Sequence, residues 1–280
     1  MTSRALVLGA GGLTGIAWET GLLLGLQRSG VYLGSIDLLV GTSSGATVAA
    51  QFATGCPLAE LYKTQLASPK KSAEIAVEVD LKALNKEYVE ARRGAKSRKE
   101  ARSRIGALAL ETETASERER RSIISSRLPV KRWPEKPLLI TAVDAHSGDP
   151  IVFDRGSRVR LVDAVTASCA VPGIWPPVTI DKRRYIDGST RSNANADLAK
   201  GISRILVVTP CRSVEAASGL TAQVKMLRRR SEVEVVLLDR DSKAAVAVDR
   251  LNPAHMAEAA KAGLRQGAVL APFVADLWDV

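Results

Sequence analysis

Histidine is almost missing from this chain, which has only His146 and His255 in 280 residues. His146 falls in an expected turn between strands, and His255 begins an expected terminal helix after Asn252 and Pro253. Neither stands in a catalytic histidine loop, which disfavours a Ser-His-Asp triad. Cysteine is scarce too: Cys56, Cys169 and Cys211 are far apart, odd in number and without a CxxC pair. That pattern argues against a metal site or a disulfide framework and suits small buried thiols in a reducing compartment. Aromatic residues are 4% of the chain. The core must then be built from Ala, Val, Leu and Ile, as in a buried parallel sheet with helices on both faces. No apolar run approaches the roughly 18 to 20 residues of a spanning helix. No charged-then-apolar signal region opens the chain. These absences give the expectation of a cytoplasmic protein, peripheral to a membrane at most, with no signal peptide or transmembrane segment.

Positive charge is in excess. Lys and Arg number 40 against 30 Asp and Glu, a net charge of +10. A basic surface attracts phosphates, on nucleic acid or on an anionic membrane. No aromatic-interleaved basic stripe accompanies it, so nucleic acid is not an expected partner and an anionic membrane is a permitted one.

Patterning predicts strands alternating with helices. Arg4 to Leu8, Ile36 to Val40, Ser203 to Pro210 and Val233 to Asp239 read as buried strands, the last of these ending the series. Lys136 to Asp154 reads as two strands joined by a turn at His146 to Asp149. A short helix runs through LVDAVTASCAVPG, prolines mark GIWPPVTI as an irregular loop, and a short strand leads into Asp187-Gly188. Helices are expected over IAWETGLLLGLQRSG, from Ala46 to Ala53, and from Pro253 to Gly267. Leu58 to Leu128 differs, with alternating charges and no strand-like run. Between Arg92 and Arg104 it holds seven basic residues and one acid, Glu100. It reads as a mainly helical, largely solvated insertion or lid within a single domain of residues 1–280. The alternation predicts a mostly parallel central sheet covered on both faces.

Three turns carry chemistry. Gly41-Thr42-Ser43-Ser44-Gly45 fits G-x-S-x-G between an apolar strand and a helix. Small residues two positions either side let a serine stand on a cramped turn, and the helix N-terminus behind it favours negative charge. The bland alternative is an ordinary strand-to-helix turn with a serine N-cap. Gly9, Gly11, Gly12 and Gly15 follow the first strand. A dinucleotide fingerprint fails there, because Thr14 stands at the sixth position and Asp37 begins the second strand instead of ending it. The loop N–H groups as an oxyanion hole, at the same sheet edge as Ser43, explain both turns with one site. An activated serine needs a base. Asp187, at a strand end before Gly188, can serve directly if desolvation raises its basicity; the alternative is a plain β-turn.

Taken together, LVLGAGGLTGIAWETGLLLGL, DLLVGTSSGATVAA and AVTASCAVPGIWPPVTIDKRRYIDGSTRSNANADLA resemble the patatin-like phospholipases. The resemblance implies a three-layer α/β/α fold and hydrolysis of carboxylic esters by a Ser-Asp dyad, with no cofactor or metal. By position it makes Ser43 the nucleophile and Asp187 the base. Gly11 and Gly12 become the oxyanion hole, with the Ser44 N–H a further donor. Gly9, Gly15, Gly41, Gly45 and Gly188 support the motifs, and Pro172 shapes the pocket wall. The implied substrate is an acyl lipid. Three departures stand out: Ala10 replaces the first glycine of the family's loop, Thr14 its Arg or Lys, and Ser189 the Gly or Ala after the DG pair. They leave open a lipid-binding or regulatory protein on the same fold.

Overall fold

The computed structural model describes residues 2–69, 74–75, 77, 79–211, 219–246 and 249–278. The first strand, β1 (Arg4–Leu8), lies between β2 (Leu38–Gly41) and β7 (Arg204–Val208), and parallel to both. β2 pairs in parallel with β3 (Leu138–Asp144), and β7 with β8 (Glu232–Val236). The sheet is completed by the antiparallel strands β4 (Pro150–Phe153), β5 (Val178–Ile180) and β6 (Arg183–Asp187), in the order β5-β6-β3-β2-β1-β7-β8 with β4 also on β3.

Alternation along β1 explains the layers. Leu6 and Leu8 join the core beneath α1 (Gly12–Arg28), α2 (Ser44–Ala53) and α10 (Met256–Trp278), while Ala5 and Val7 join a second core capped by α8 (Leu220–Leu227). Successive side chains of a strand point to opposite faces, so both faces are apolar and both are covered. The fold is a three-layer α/β/α sandwich with a mostly parallel centre. In α1, Trp18, Leu22, Leu23 and Leu26 are fully buried, each contributing about 1.5–3 kcal/mol of apolar burial.

Several expectations are corrected. The first helix starts at Gly12, four residues ahead of the expected start, because the glycine turn is itself its first turn. The last helix runs on through Pro272 to Trp278. Gly267, which resembles a stop, is there for close approach: a Cβ on it would stand 2.2 Å from the Leu22 carbonyl oxygen of α1. Within the expected loop GIWPPVTI, Val178 to Ile180 pairs with β6 as a strand. α8 and α9 (Arg240–Val246) were not anticipated from patterning.

The charged segment holds α3 (Leu58–Gln65), α4 (Leu81–Arg92), α5 (Arg98–Glu111) and α6 (Glu117–Arg127). It is less uniformly solvated than its composition suggests. Arg120 of α6 is 4% exposed, pairs with Glu74 at 3.2 Å and lies 3.7 Å over the Trp175 ring. Its charge is buried because a carboxylate and a π face replace the lost water. By contrast, no residue of α4 is buried. α7 (Leu161–Ser168) packs against β3, β6, α2 and α6, beside the chemistry-bearing turns.

Candidate active site

The strand registers bring two turns together. Gly41 of β2 stands opposite Ile140 of β3, and Asp187 of β6 stands opposite Ala142, two residues further along. β4 occupies one edge of β3 from Ile140 to Val143. A strand has only two edges, so β2 and β6 must share the other, end to end. Running in opposite directions, they finish facing each other. Ser43, two residues past the end of β2, therefore comes close to Asp187, which ends β6.

Ser43 adopts φ 56° and ψ −119°, a backbone region costly for any residue with a side chain. Contacts from the C-terminal end of α7 hold it there. Its N–H donates to Ser168 Oγ at 2.9 Å, and Cys169 Sγ donates to its carbonyl at 3.2 Å. The glycines of the motif admit neighbouring backbone: a Cβ at Gly45 would stand 2.2 Å from Leu8 O, and one at Gly41 2.5 Å from Ala46 Cα.

Asp187 is fully buried. Oδ1 accepts the Ser189 N–H at 2.8 Å, whereas buried Oδ2 has no hydrogen bond of good geometry. Burial pushes the carboxyl up to about 6, opposed by the Ser189 N–H and by the Ser43 side chain, which is close enough to favour the ionised form. Behind both turns, the Thr42 and Thr141 hydroxyls are 2.9 Å apart, and Asn195 Nδ2 donates to Thr42 Oγ1 at 3.0 Å. The same amide donates to Gly188 O at 3.3 Å, tying the serine turn to the aspartate turn. A Cβ at Gly188 would collide with Thr141 Oγ1.

Gly11, Gly12 and Ser43 line one cavity of about 380 Å³. Gly12 has φ +70°, and any Cβ there would meet the Arg250 carbonyl at 2.6 Å. That carbonyl accepts the Leu13 and Thr14 N–H groups, and Gly11 O accepts that of Gly15. Among the described residues, the N–H groups of Gly11 and Gly12 have no such acceptor, as expected at a helix start. Ser44 does not line the cavity, and its hydroxyl donates to Gly9 O at 3.0 Å. Gly9 and Gly15 back the loop, with Thr209 and Ser44 respectively in their Cβ space. Ser189 lines the cavity; neither His146 nor His255 does.

Patterning missed several residues of this site. Leu81, Leu84, Asn85 and Tyr88 of α4 form one wall, at the i, i+3, i+4 and i+7 spacing of one helical face. Asp80 caps that helix through the N–H groups of Lys82 and Ala83. Tyr88 anchors it, donating to Pro172 O at 2.5 Å. Pro172 thus acts through its carbonyl, while Val171 and Ile174 supply the wall beside it. Arg250 also lines the cavity, with Nη1 donating to Cys211 Sγ at 2.5 Å. Thr14, the expected cation position, is buried and donates to Val246 O. Beneath the loop lies Glu19, wholly buried and accepting the Gly9 N–H at 3.1 Å; burial raises its pKa well above the usual carboxylate range. The i+3/i+4 pattern of α4 was legible, but the cavity it faces was not. Among the described residues no cluster of three or more His, Cys, Asp or Glu could hold a metal, and no helix is long and apolar enough to cross a membrane.

In fold the chain is similar to VipD from Legionella pneumophila, with TM-score 0.48, 13% identity, and coverage of 98% of this chain and 67% of that one. It is similar also to the type III effector protein ExoU, with TM-score 0.45 and 16% identity, covering 97% of this chain. ExoU of the Pseudomonas aeruginosa type III secretion system, crystallised with SpcU, gives TM-score 0.39 at 16% identity. The chain spans 53% of the length of either ExoU structure. The family model for patatin-like phospholipases matches residues 6–200, which include both turns, the glycine loop and the wall helix. The chain belongs to the patatin-like phospholipase family.

Proposed function

We propose that this protein hydrolyses the carboxylic ester of an acyl lipid with Ser43 as nucleophile and Asp187 as its base. The observation that carries the reading is a buried carboxyl, raised to about 6, next to a serine on a left-handed turn that lines a cavity. With that pKa the carboxyl is ionised at neutral pH yet far more basic than an exposed aspartate. Ser43 Oγ attacks the ester carbonyl carbon as its proton passes to Asp187. The tetrahedral oxyanion is received by the N–H groups of Gly11 and Gly12 at the start of α1, where the helix dipole adds to their effect. Collapse breaks the ester C–O bond, and the alcohol leaves with the proton from Asp187. A water then gives its proton to Asp187 and attacks the acyl-serine, returning the free acid and Ser43. No step calls for a metal or a cofactor.

The apolar walls, Leu81 and Leu84 on one side and Val171 and Ile174 on the other, suit an acyl chain. Arg250 supplies the cavity with a cation in place of the one Thr14 does not provide, which favours a phosphate-bearing headgroup over a neutral glyceride. The test is lipid hydrolysis by the purified protein beside Ser43→Ala and Asp187→Asn. Both variants are expected to lose at least about a thousandfold in kcat/KM while remaining folded. Equal hydrolysis by all three would end the dyad reading. Lipid binding without turnover by any of them would instead assign a non-catalytic lipid carrier.

A further inference from the structure

A second cavity, of about 330 Å³, is lined by Arg92, Lys96, Arg98, Arg102 and Arg191 together with Ser97 and Thr190. It shares no lining residue with the cavity of Ser43, although Thr190 follows directly on Ser189 there. Five cations and no carboxylate line it. Two of the nearby acids hold cations outside the lining, and a third holds one within it. Glu100 holds Arg104 at 2.7 Å and the Lys96 backbone N–H, Asp149 holds Lys99 at 2.8 Å, and Asp197 holds Arg191. Among the described residues no ion pair reaches Lys96, Arg98 or Arg102.

Like charges gathered in a concave space repel one another unless an anion sits between them. Arg102 registers that repulsion: burial lowers its pKa, Arg191 and Arg98 lower it further, and Asp149 opposes them. Its Nε is spent on Gly148 O at 2.6 Å, which fixes the guanidinium at the rim of the cavity. Arg98 opens α5 with Lys99 beside it, so two cations stand at the positive end of a helix dipole. An arrangement costly when empty becomes favourable once a compact, multiply charged anion occupies it.

We propose that this cavity is a binding site for a phosphomonoester-bearing anion, a phosphorylated polyol headgroup or free phosphate. Its size, at the small end of ligand pockets, admits a headgroup and not an entire lipid. No aromatic side chain lines it, which removes the stacking platform that single-stranded nucleic acid requires. The Arg98 and Arg102 guanidinium groups of α5, with the Lys96 ammonium just ahead of that helix, match the several oxygens of a terminal phosphate. The site stands apart from the hydrolytic reading, since nothing in it depends on Ser43 or Asp187.

Calorimetric titration of the full chain with inositol trisphosphate and with inorganic phosphate tests the proposal directly. Co-sedimentation with phosphatidylcholine vesicles, doped either with a phosphatidylinositol bisphosphate or with phosphatidylserine to equal surface charge, distinguishes lipid-borne from soluble phosphate. The expected result is saturable binding to at least one phosphomonoester source, weakened roughly tenfold or more in Arg98→Gln/Arg102→Gln. A double variant of matched charge on exposed remote residues, Arg229→Gln/Arg230→Gln, is expected to bind as the parent does. Because Arg102 also bonds backbone, Arg98→Gln alone serves as the second variant, with about threefold weaker binding expected. Equal loss in the two doubles would reduce the effect to net charge and overturn the proposal. So would the absence of saturable binding to every phosphate source, or equally tight capture of a DNA oligonucleotide. None of these outcomes bears on ester hydrolysis, so this reading and the hydrolytic one fail separately.

Discussion

The serine and aspartate turns and the wall helix α4 enclose the same cavity but are held in place by different physics. At the turns, position is dictated by close approach and buried hydrogen bonds: the Gly45 backbone against that of Leu8, Gly188 against Thr141, and the Ser43 backbone clasped by the Ser168 and Cys169 side chains. α4 has no buried residue and is held by an Asp80 cap, by one hydroxyl, Tyr88 to Pro172, and by half-buried Tyr88 and Ala91 packed beside Ile105 and Ala109 of α5. The contrast shows where the molecule tolerates change. A nucleophile must be placed within a fraction of an ångström, whereas a wall over an acyl chain gains from being able to yield.

Substitutions can break or sharpen that contrast. Gly45→Ala should have the largest effect, because its Cβ meets Leu8 O at 2.2 Å and neither backbone can retreat. A loss of about 3 kcal/mol is expected, measured by denaturant unfolding, with activity lost alongside. A neutral outcome would mean that the turn is less rigid than the wall.

Asp187 comes next, and here the sign matters. Its folded pKa, about 6, lies above the ordinary 3.8, so its contribution to stability is present below pH 3.8 and lost as pH rises through 6. Asp187→Asn should therefore match the parent at pH 4 and exceed its stability at pH 8 by about 2–3 kcal/mol. The rate runs the opposite way: kcat/KM should fall tenfold per pH unit below about 6, since a protonated carboxyl cannot act as base. Melting curves and a pH-rate profile check the two halves separately. Tyr88→Phe removes one hydrogen bond from α4 and should cost about 1 kcal/mol, with a higher KM for long-chain esters and little change in kcat. The smallest effect is expected at Lys63→Ala, whose pair with Glu60 lies on the surface at 2.7 Å. There the change should stay below about 0.5 kcal/mol in thermal unfolding.

The parallel core, the hairpin of β3 and β4, and the three turns were legible because each leaves a local trace: an apolar run, a turn pair, a glycine cluster. Boundaries were misread where a glycine or proline had a tertiary reason. Gly267 admits α1 rather than ending α10, and Pro272 is carried inside that helix because Val274, Leu277 and Trp278 continue to pack on the core. Arg120 defeated the charge pattern, since no local signal shows that Glu74 and Trp175 will surround it. Arg250, Asn195 and Glu19 were hidden for the same reason, each meeting the site from a distant or unremarkable segment.

By itself, the order of residues determined which elements form and which side chains could carry chemistry, because periodicity and turn preference act over a few residues. Only tertiary structure decided that β2 and β6 would meet end to end along β3, that Asp187 would lose its water, and that Arg250 would stand near Gly12. Those outcomes depend on register and burial, which are settled between segments far apart in the chain and leave no mark within any one of them.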